Sequence, residues 1–153
     1  MSMIEIKDLS KAYDDIAVVA HLNISIPKGS VFGFLGPNGA GKTTTIKMLV
    51  GITEPSSGTI LIGGRDPRKK ETRAHIGFMP ETPQFYDYLT AIEFLRFAYE
   101  LAGKKTLPKV TYDHALSMVG LEDSGDTYLG TFSKGMRQRL AFAQTLIHNP
   151  DYI

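Results

Sequence analysis

The residues best suited to chemistry form one short run, Gly36-Pro37-Asn38-Gly39-Ala40-Gly41-Lys42-Thr43, which Thr44 follows. This run fits the pattern G-x-x-x-x-G-K-[ST], in which small residues let several backbone NH groups turn toward an anion. Lys42 can reach the β- and γ-phosphates of a nucleotide, and the Thr43 hydroxyl suits Mg²⁺. The run predicts a site for a nucleoside triphosphate; the alternative is a glycine-rich turn between a strand and a helix.

The sequence on either side of this run predicts the elements that would position it. Residues 31–35 are apolar and indicate a short buried strand, and residues 43–50 indicate a helix that Gly51 ends. A helix that starts at the end of the loop directs its free NH groups and the positive end of its dipole toward the same phosphates. The order strand, loop, helix is the one that the phosphate-binding pattern requires.

The remaining N-terminal part predicts a small β-layer. Apolar residues alternate with polar ones at Ile4, Ile6, Leu22, Ile24 and Ile26, as in half-buried antiparallel strands. A turn at 55–58 precedes a strand at 59–62, and the polar segment 67–74 indicates a short helix. Residues 76–79 indicate a brief buried strand that Pro80 stops. The alternation of strands and helices favours an α/β core.

From Thr90 onward the pattern is helical. Thr90-Ala91-Ile92-Glu93 is a capping box, and Gly103 ends the helix that it begins. A second helix is expected at 112–119, and Ser133 is a suitable N-cap for a final helix. The apolar faces expected for the first and last of these helices are Phe94, Phe97, Ala98 and Leu101, and Met136, Leu140, Ala143 and Ile147.

Composition narrows the class of protein. The 153 residues suit one globular domain, and no second domain is expected. Seventeen basic residues against 16 acidic ones give a net charge of +1, which argues against a nucleic-acid partner. Cysteine is absent, as suits a reducing compartment, and no apolar stretch approaches the roughly 18 residues that span a bilayer. Any membrane role is therefore expected to depend on a partner.

A second motif carries a family resemblance. Phe132-Ser133-Lys134-Gly135-Met136, followed by Arg137-Gln138-Arg139-Leu140, resembles the signature of ABC transporter ATP-binding subunits, which usually reads Leu-Ser-Gly-Gly-Gln. Ser133 and Gly135 match that signature, whereas Lys134 and Met136 depart from it as in many exporter-like relatives. Residues 76–81 resemble the segment leading to the family's Q-loop, and Lys11-Ala12-Tyr13 resembles its early aromatic loop. The resemblance extends over nearly the whole chain.

The resemblance implies an α/β fold: a P-loop NTPase core with an N-terminal antiparallel β-layer and an inserted α-helical subdomain at about 82–133. Residues 1–153 would form a single, incomplete ATP-binding domain that uses ATP and Mg²⁺. Tyr13 would stack on adenine, the alternative being an aromatic packed beside the β-layer. Glu81 stands where the family has Gln and would contact Mg²⁺; the alternative is a solvated loop carboxylate.

The resemblance also implies partners. Two such subunits would pack head to tail, with the signature residues Ser133, Lys134, Gly135 and Met136 of one over the nucleotide of the other. Membrane permease subunits would complete a transporter on the inner, cytoplasmic face of the cell membrane. The aromatic segment Phe85, Tyr86 and Tyr88 is the expected permease contact, with the core of the helical insert as the alternative.

No catalytic residue is assigned. In the family an apolar strand ending in Asp-Glu follows the position of Ile153, and His148 does not substitute for the family's later histidine. We therefore expect residues 1–153 alone to bind ATP without turnover, and to expose the edge of the 31–35 strand to aggregation. The alternatives are a soluble ABC-type ATPase without a transport role, a remnant that binds ATP without hydrolysing it, and a P-loop kinase.

Overall fold

The structure, a computed structural model, describes residues 2–153 and divides into two compact units at the Arg73–Ala74 junction. The first unit contains β1 (Ser2–Tyr13), β2 (Ile16–Pro27), α1 (Lys42–Leu49), β3 (Ser57–Ile62) and α2 (Lys70–Arg73). The second contains α3 (Ala91–Leu101), α4 (Lys109–Met118), 3₁₀ turns at Glu122–Ser124 and Leu129–Thr131, and α5 (Lys134–Leu146). The single domain 1–153 and the helical insert 82–133 stay predictions.

The predicted β-layer is confirmed as a three-stranded antiparallel sheet in the order β2-β1-β3. A two-residue loop joins β1 to β2, and its residues Asp14 and Asp15 have φ angles of 46° and 65°. Two successive positive φ angles define the hairpin turn whose twist matches that of the strands, and aspartate tolerates that conformation. β3 begins at Ser57, two residues before the predicted start, because the turn at 55–58 already joins the ladder with β1.

The first unit has a small core shared by the sheet and α1. The buried apolar side chains are Ile6, Leu9, Val19, Met48, Ile60 and Ile62. Ile60 and Ile62 lie two residues apart on β3, so alternation brings them to the same face of the sheet, and Ile6 of β1 pairs with Ile60. Leu9 lies three residues after Ile6, and the ladder is irregular between these two buried residues. Met48 of α1 is buried as well. The phosphate-loop helix is thus supported by the β-layer.

The predicted strand at 31–35 is wrong. These residues adopt no regular structure, and both Val31 and Leu35 are more than nine-tenths exposed. The reason is that a buried strand needs a neighbour to pair its backbone groups, and no strand within residues 2–153 pairs with this segment. The short apolar run alone did not reveal this requirement.

The strand predicted at 76–79 is also wrong. It is reduced to a single parallel bridge between Ile76 and Tyr152, in which the Gly77 NH donates to the Tyr152 carbonyl at 2.7 Å. Pro80 lacks the NH that would continue such a ladder. The helix predicted at 67–74 occupies only its last turn, as α2.

The second unit is a helical cluster around one apolar core. The largest side chains buried there include Phe94, Leu95, Leu116, Leu129, Phe132 and Leu140. The capping box at Thr90 is complete, and the predicted apolar face of α5 is confirmed, with Leu140, Ala143 and Ile147 buried and Met136 packed against the same core. α4 begins at Lys109, three residues before the predicted start at 112. Pro108 can precede the helix because the NH that it lacks would have no hydrogen-bond partner within the helix.

The predicted face of α3 needs a correction. Phe94 is buried, but Phe97 is 39 % exposed and Leu101 is 67 % exposed, whereas Leu95 is fully buried. The helix is apolar on more than one side, so periodicity could not choose which side would meet the core. α3 therefore carries apolar side chains on its outer face.

Substitutions at two glycines, Gly58 and Gly64, would test how closely β3 must approach β1. Gly58 has φ +83°, and a Cβ there would lie 2.7 Å from the Leu9 Cα of β1; Gly64 has φ +75° but nothing within 4 Å. We expect Gly64→Ala to cost about 1–2 kcal/mol from the positive φ alone, and Gly58→Ala about 3 kcal/mol or more because backbone must also move. Urea unfolding of both variants gives the difference, and equal losses would contradict the close packing.

Candidate functional site

The phosphate-binding pattern forms an exposed loop that leads directly into α1. Asn38 and Gly39 form a turn that the Ala40 NH closes on the Pro37 carbonyl at 3.3 Å, and Gly39 has φ +84°. Gly36 through Ala40 are all exposed. The loop therefore presents main chain, with few side chains over it, to the solvent.

Gly41 is the N-cap of α1 and lies against strand β2. Its φ is +78°, and a Cβ at this position would lie 2.6 Å from the Val18 carbonyl oxygen and 2.9 Å from a Val19 methyl carbon. No side chain caps the helix, so the first NH groups of α1 are left for another acceptor. Only glycine meets both the positive φ and the close approach to β2.

The Lys42 side chain folds back over the loop. Its ammonium Nζ donates to the carbonyl oxygens of Gly36 at 2.7 Å and Pro37 at 2.6 Å. The ammonium is thus held above the same stretch of main chain that the motif assigns to phosphate. Thr43, next along α1, is exposed, whereas Thr44 is half-buried.

Tyr13 lies at the tip of the β1–β2 hairpin in the same unit as the loop. Its side chain is 47 % exposed, and the Lys11 ammonium stands 4.7 Å from its ring centroid. The ring is therefore not packed in the core of the first unit. Its stacking on adenine stays a prediction.

The signature residues lie at the start of α5 in the second unit. Ser133 is the N-cap, and its Oγ accepts a hydrogen bond from the Met136 NH at 3.2 Å. Ser133, Lys134 and Gly135 are exposed, and Met136 is half-buried against the core. The fold thus exposes three of the four signature residues that the resemblance assigns to a second subunit's nucleotide.

The two predicted Mg²⁺ ligands belong to different units: Thr43 to the first and Glu81, an exposed loop residue, to the second. Within residues 2–153 no group of three or more histidine, cysteine, aspartate or glutamate side chains could hold a metal ion. Mg²⁺ fits the hydroxyl of Thr43 chemically, since this ion prefers oxygen ligands and keeps several waters. The role of Glu81 stays a prediction.

Sequence reasoning missed a cluster around Arg137, in the first turn of α5. The Arg137 Nη2 donates to Asp87 Oδ1 at 2.7 Å and to the Leu129 carbonyl at 2.9 Å, and the guanidinium lies 5.6 Å from the centre of the Phe85 ring. Asp87 is 50 residues away in sequence. No local pattern marks such a pair, so only the tertiary structure could reveal it.

His148 lies just after α5 and is held by the chain that precedes the Q-loop segment. Its Nε2 hydrogen-bonds the Ile76 carbonyl at 3.3 Å, while neighbouring His75 Nδ1 contacts Asp151 Oδ2 at 2.8 Å. Burial lowers the pKa of His148 below its usual value of 6.5; the hydrogen bond to Ile76 opposes this shift, and the charges of Lys104 and His75 add to it. The neutral imidazole is therefore the form that the fold favours.

A glycine-lined phosphate loop opening a helix, on a chain that also carries a capped signature helix, defines a class of nucleotide-binding P-loop proteins. A family model described as ABC transporter matches residues 19–153. The chain belongs to the ABC transporter family, and this assignment speaks against the kinase alternative.

Individual relatives agree with the assignment. The chain is 43 % identical over 154 residues to the bacitracin transport ATP-binding protein BcrA of Bacillus licheniformis, and 38 % identical over 152 residues to the SkfA peptide export ATP-binding protein SkfE of Bacillus subtilis. These alignments cover 99 % and 97 % of this chain, and 50 % and 63 % of the two relatives. The chain spans about half the length of several of the curated relatives that it matches.

Solved structures confirm the predicted fold class. The ATP-binding subunit of an ABC transporter superposes with a TM-score of 0.84 at 34 % identity, over 97 % of this chain and 63 % of that one. CbiO1 of Clostridium perfringens, described as part of the ABC transporter complex cbiONQ, gives 0.81 at 28 % identity, over 97 % and 62 % of the two chains. None of the helices in residues 2–153 combines the length and apolar character needed to cross a bilayer.

His148 predicts how stability depends on pH. Because its folded pKa lies below 6.5, the unfolded chain takes up this proton first as pH falls, so stability is full above about pH 6.5 and is lost below it. His148→Gln keeps a hydrogen-bond donor without a titrating ring and should flatten this loss. Urea unfolding between about pH 7.5 and 5 measures it. His114→Gln, which makes the same replacement at an exposed position of the second unit, is the control for the substitution itself. A wild-type slope in His148→Gln would contradict the assignment.

Proposed function

We propose that this protein is the ATP-binding subunit of an ABC transporter. The observation that carries the proposal is the phosphate loop, with its uncapped helix start at Gly41 and the Lys42 ammonium held over the loop carbonyls. A bound triphosphate would accept hydrogen bonds from the Lys42 ammonium and from the free NH groups of α1. Charged phosphate oxygens would then replace the two neutral carbonyl oxygens as partners of Lys42. Family membership supports ATP as the nucleotide. Tyr13 would stack on its adenine.

Mg²⁺ would be held by the Thr43 hydroxyl together with the phosphates, and Glu81 would contribute a carboxylate oxygen. When bound, Mg²⁺ would neutralise part of the negative charge of the phosphates. Thr43 suits this role because its side chain is exposed at the second position of α1, next to Lys42. Glu81 suits it less directly, since glutamate adds a negative charge where the family has a neutral amide.

The signature residues would act on a second ATP-binding subunit. Ser133 and Gly135 stand exposed at the N-terminus of α5, a 13-residue helix whose first NH groups favour an anion. Packed head to tail, this end would close over the terminal phosphate bound by the partner and exclude water from it. The Lys134 ammonium, also exposed, would add positive charge at the same edge.

Membrane permease subunits would bind an aromatic patch on the second unit, formed by Tyr86, Tyr88 and Phe97. The Tyr86 ring contacts the other two: its centre lies 5.8 Å from that of Tyr88 and 5.7 Å from that of Phe97. Tyr88 is 72 % exposed, whereas Phe85 packs on Phe94 at 4.9 Å and is partly buried against the core. A cluster of exposed rings is typical of interfaces. Such binding would hold the protein on the inner, cytoplasmic face of the membrane.

Nucleotide binding has a matched test within α1. Lys42→Ala should weaken Mg-ATP binding by about a hundredfold or more, because it removes a charged partner of the phosphates, whereas Lys47→Ala, at an exposed position of the same helix, should leave it within about twofold. Calorimetry on residues 1–153 measures both. Unchanged binding by Lys42→Ala would refute the site.

The permease contact has its own test. Tyr86→Ser combined with Tyr88→Ser should weaken assembly of the complete gene product with its permease by about tenfold or more, because interface aromatics carry much of the binding energy. The matched control is Val110→Ser, which removes an apolar side chain 74 % exposed in the same unit. Affinity measured in detergent or lipid vesicles compares them. Equal losses in both variants would contradict the assignment of the patch.

A further inference from the structure

The two tyrosines of the aromatic patch lie on a segment that is attached to the rest of the second unit by backbone hydrogen bonds. This segment, residues 85–90, makes two backbone hydrogen bonds to the turn before the signature: the Leu129 NH donates to the Leu89 carbonyl at 2.9 Å, and the Gly130 NH donates to the Asp87 carbonyl at 3.0 Å. A bridge between Thr90 and Tyr128 continues the same pairing. Tyr86 and Tyr88 thus project from a segment whose backbone is fixed.

Asp87 lies between the two exposed tyrosines, and its side chain is the segment's ionic contact with α5. The carboxylate is 65 % exposed, so the loss of the ion pair would leave it solvated rather than buried. Its partner Arg137 is only 30 % exposed and has further contacts with the Leu129 carbonyl and the Phe85 ring. The pair is therefore free to open on the Asp87 side while Arg137 stays in place.

Arg137 also lies next to the signature. It is the fourth residue of α5, and its NH donates to the carbonyl of Ser133, the N-cap, at 3.0 Å. One side chain thus reaches from the first turn of the signature helix to the segment that carries Tyr86 and Tyr88. Guanidinium suits this position, because its planar fork can serve a carboxylate and a carbonyl at once while one face meets an aromatic ring.

We propose that Arg137 is a positioning residue that couples the 85–90 segment to the N-terminus of α5 through Asp87. A permease helix seated on Tyr86 and Tyr88 would displace or fix Asp87, and Arg137 would pass the change to the turn that presents Ser133 and Gly135. This inference rests on the proposed function, since it assigns the link between the permease contact and the signature within one subunit.

The alternative is that Arg137 only stabilises the helical unit. Arg139 provides the comparison, because it lies on the same helix and its Nη1 donates to the carbonyls of Val119 at 3.0 Å and Gly120 at 2.8 Å. These bonds anchor the end of α4 and do not involve residues 85–90. A purely structural role predicts the same consequences for both arginines.

The test compares four variants of the complete gene product assembled with its permease in lipid vesicles: Arg137→Gln, Asp87→Asn, the double variant, and Arg139→Gln. We expect Arg137→Gln and Asp87→Asn each to lower the permease-stimulated kcat by about tenfold, with KM for ATP within about twofold. The double variant should be no worse than either single variant, because both remove the same link. Arg139→Gln should keep most of the stimulation, whatever it costs in thermal stability.

Results that contradict this inference differ from the result that would contradict the proposed function. Full stimulation in Arg137→Gln and Asp87→Asn would overturn the inference, as would an equal loss in Arg139→Gln, additive losses in the double variant, or a rise in KM with kcat unchanged. If Arg137→Gln does not fold, Asp87→Asn decides alone, since its side chain is largely exposed. A wild-type protein that neither assembles with a permease nor responds to it would instead refute the proposed function.

Discussion

The close contact between Gly41 and strand β2 is the constraint on which the candidate site depends. It fixes the point at which the loop becomes α1, and a side chain there would strike the Val18 carbonyl. Because the N-cap is a glycine without a capping side chain, the first NH groups of α1 remain available. The adjacent Lys42 then lies over the loop. Anion binding at this place is thus a property of the backbone, positioned by the β-layer.

In the second unit, the N-terminal end of α5 is exposed while the apolar face of the same helix is buried. Leu140 and Ala143 anchor α5 in the core with no measurable exposure, whereas Ser133, Lys134 and Gly135 at its start stay open to solvent. The N-cap bond from Met136 to Ser133 defines that start. A rigid base and an exposed tip are what recognition of a second molecule requires.

Some charged and aromatic contacts in the second unit join segments that are distant in sequence. Arg137 joins Asp87, Leu129 and Phe85, and the neighbouring rings of Tyr86, Tyr88 and Phe97 form the exposed patch. Such an ion pair, partly open to water, contributes little to stability. Its placement beside the signature is therefore more informative about function than about folding.

The sequence by itself determined the features that depend on near neighbours: the phosphate loop, the Thr90 capping box, the Ser133 cap and the alternation of β1 and β2. These features depend on the backbone chemistry of residues close in sequence, so residue types at fixed spacings identify them. Only the tertiary structure decided which apolar segments pack or pair with another element. Residues 31–35 are as apolar as a buried strand, yet they pair with nothing in residues 2–153, and α3 turned Leu95 inward and Phe97 outward. The Arg137–Asp87 contact was likewise decided only by the tertiary structure. Strand pairing, the buried side of a helix and ion pairs between distant residues all depend on which segments become neighbours in the fold, and local residue spacing does not encode this.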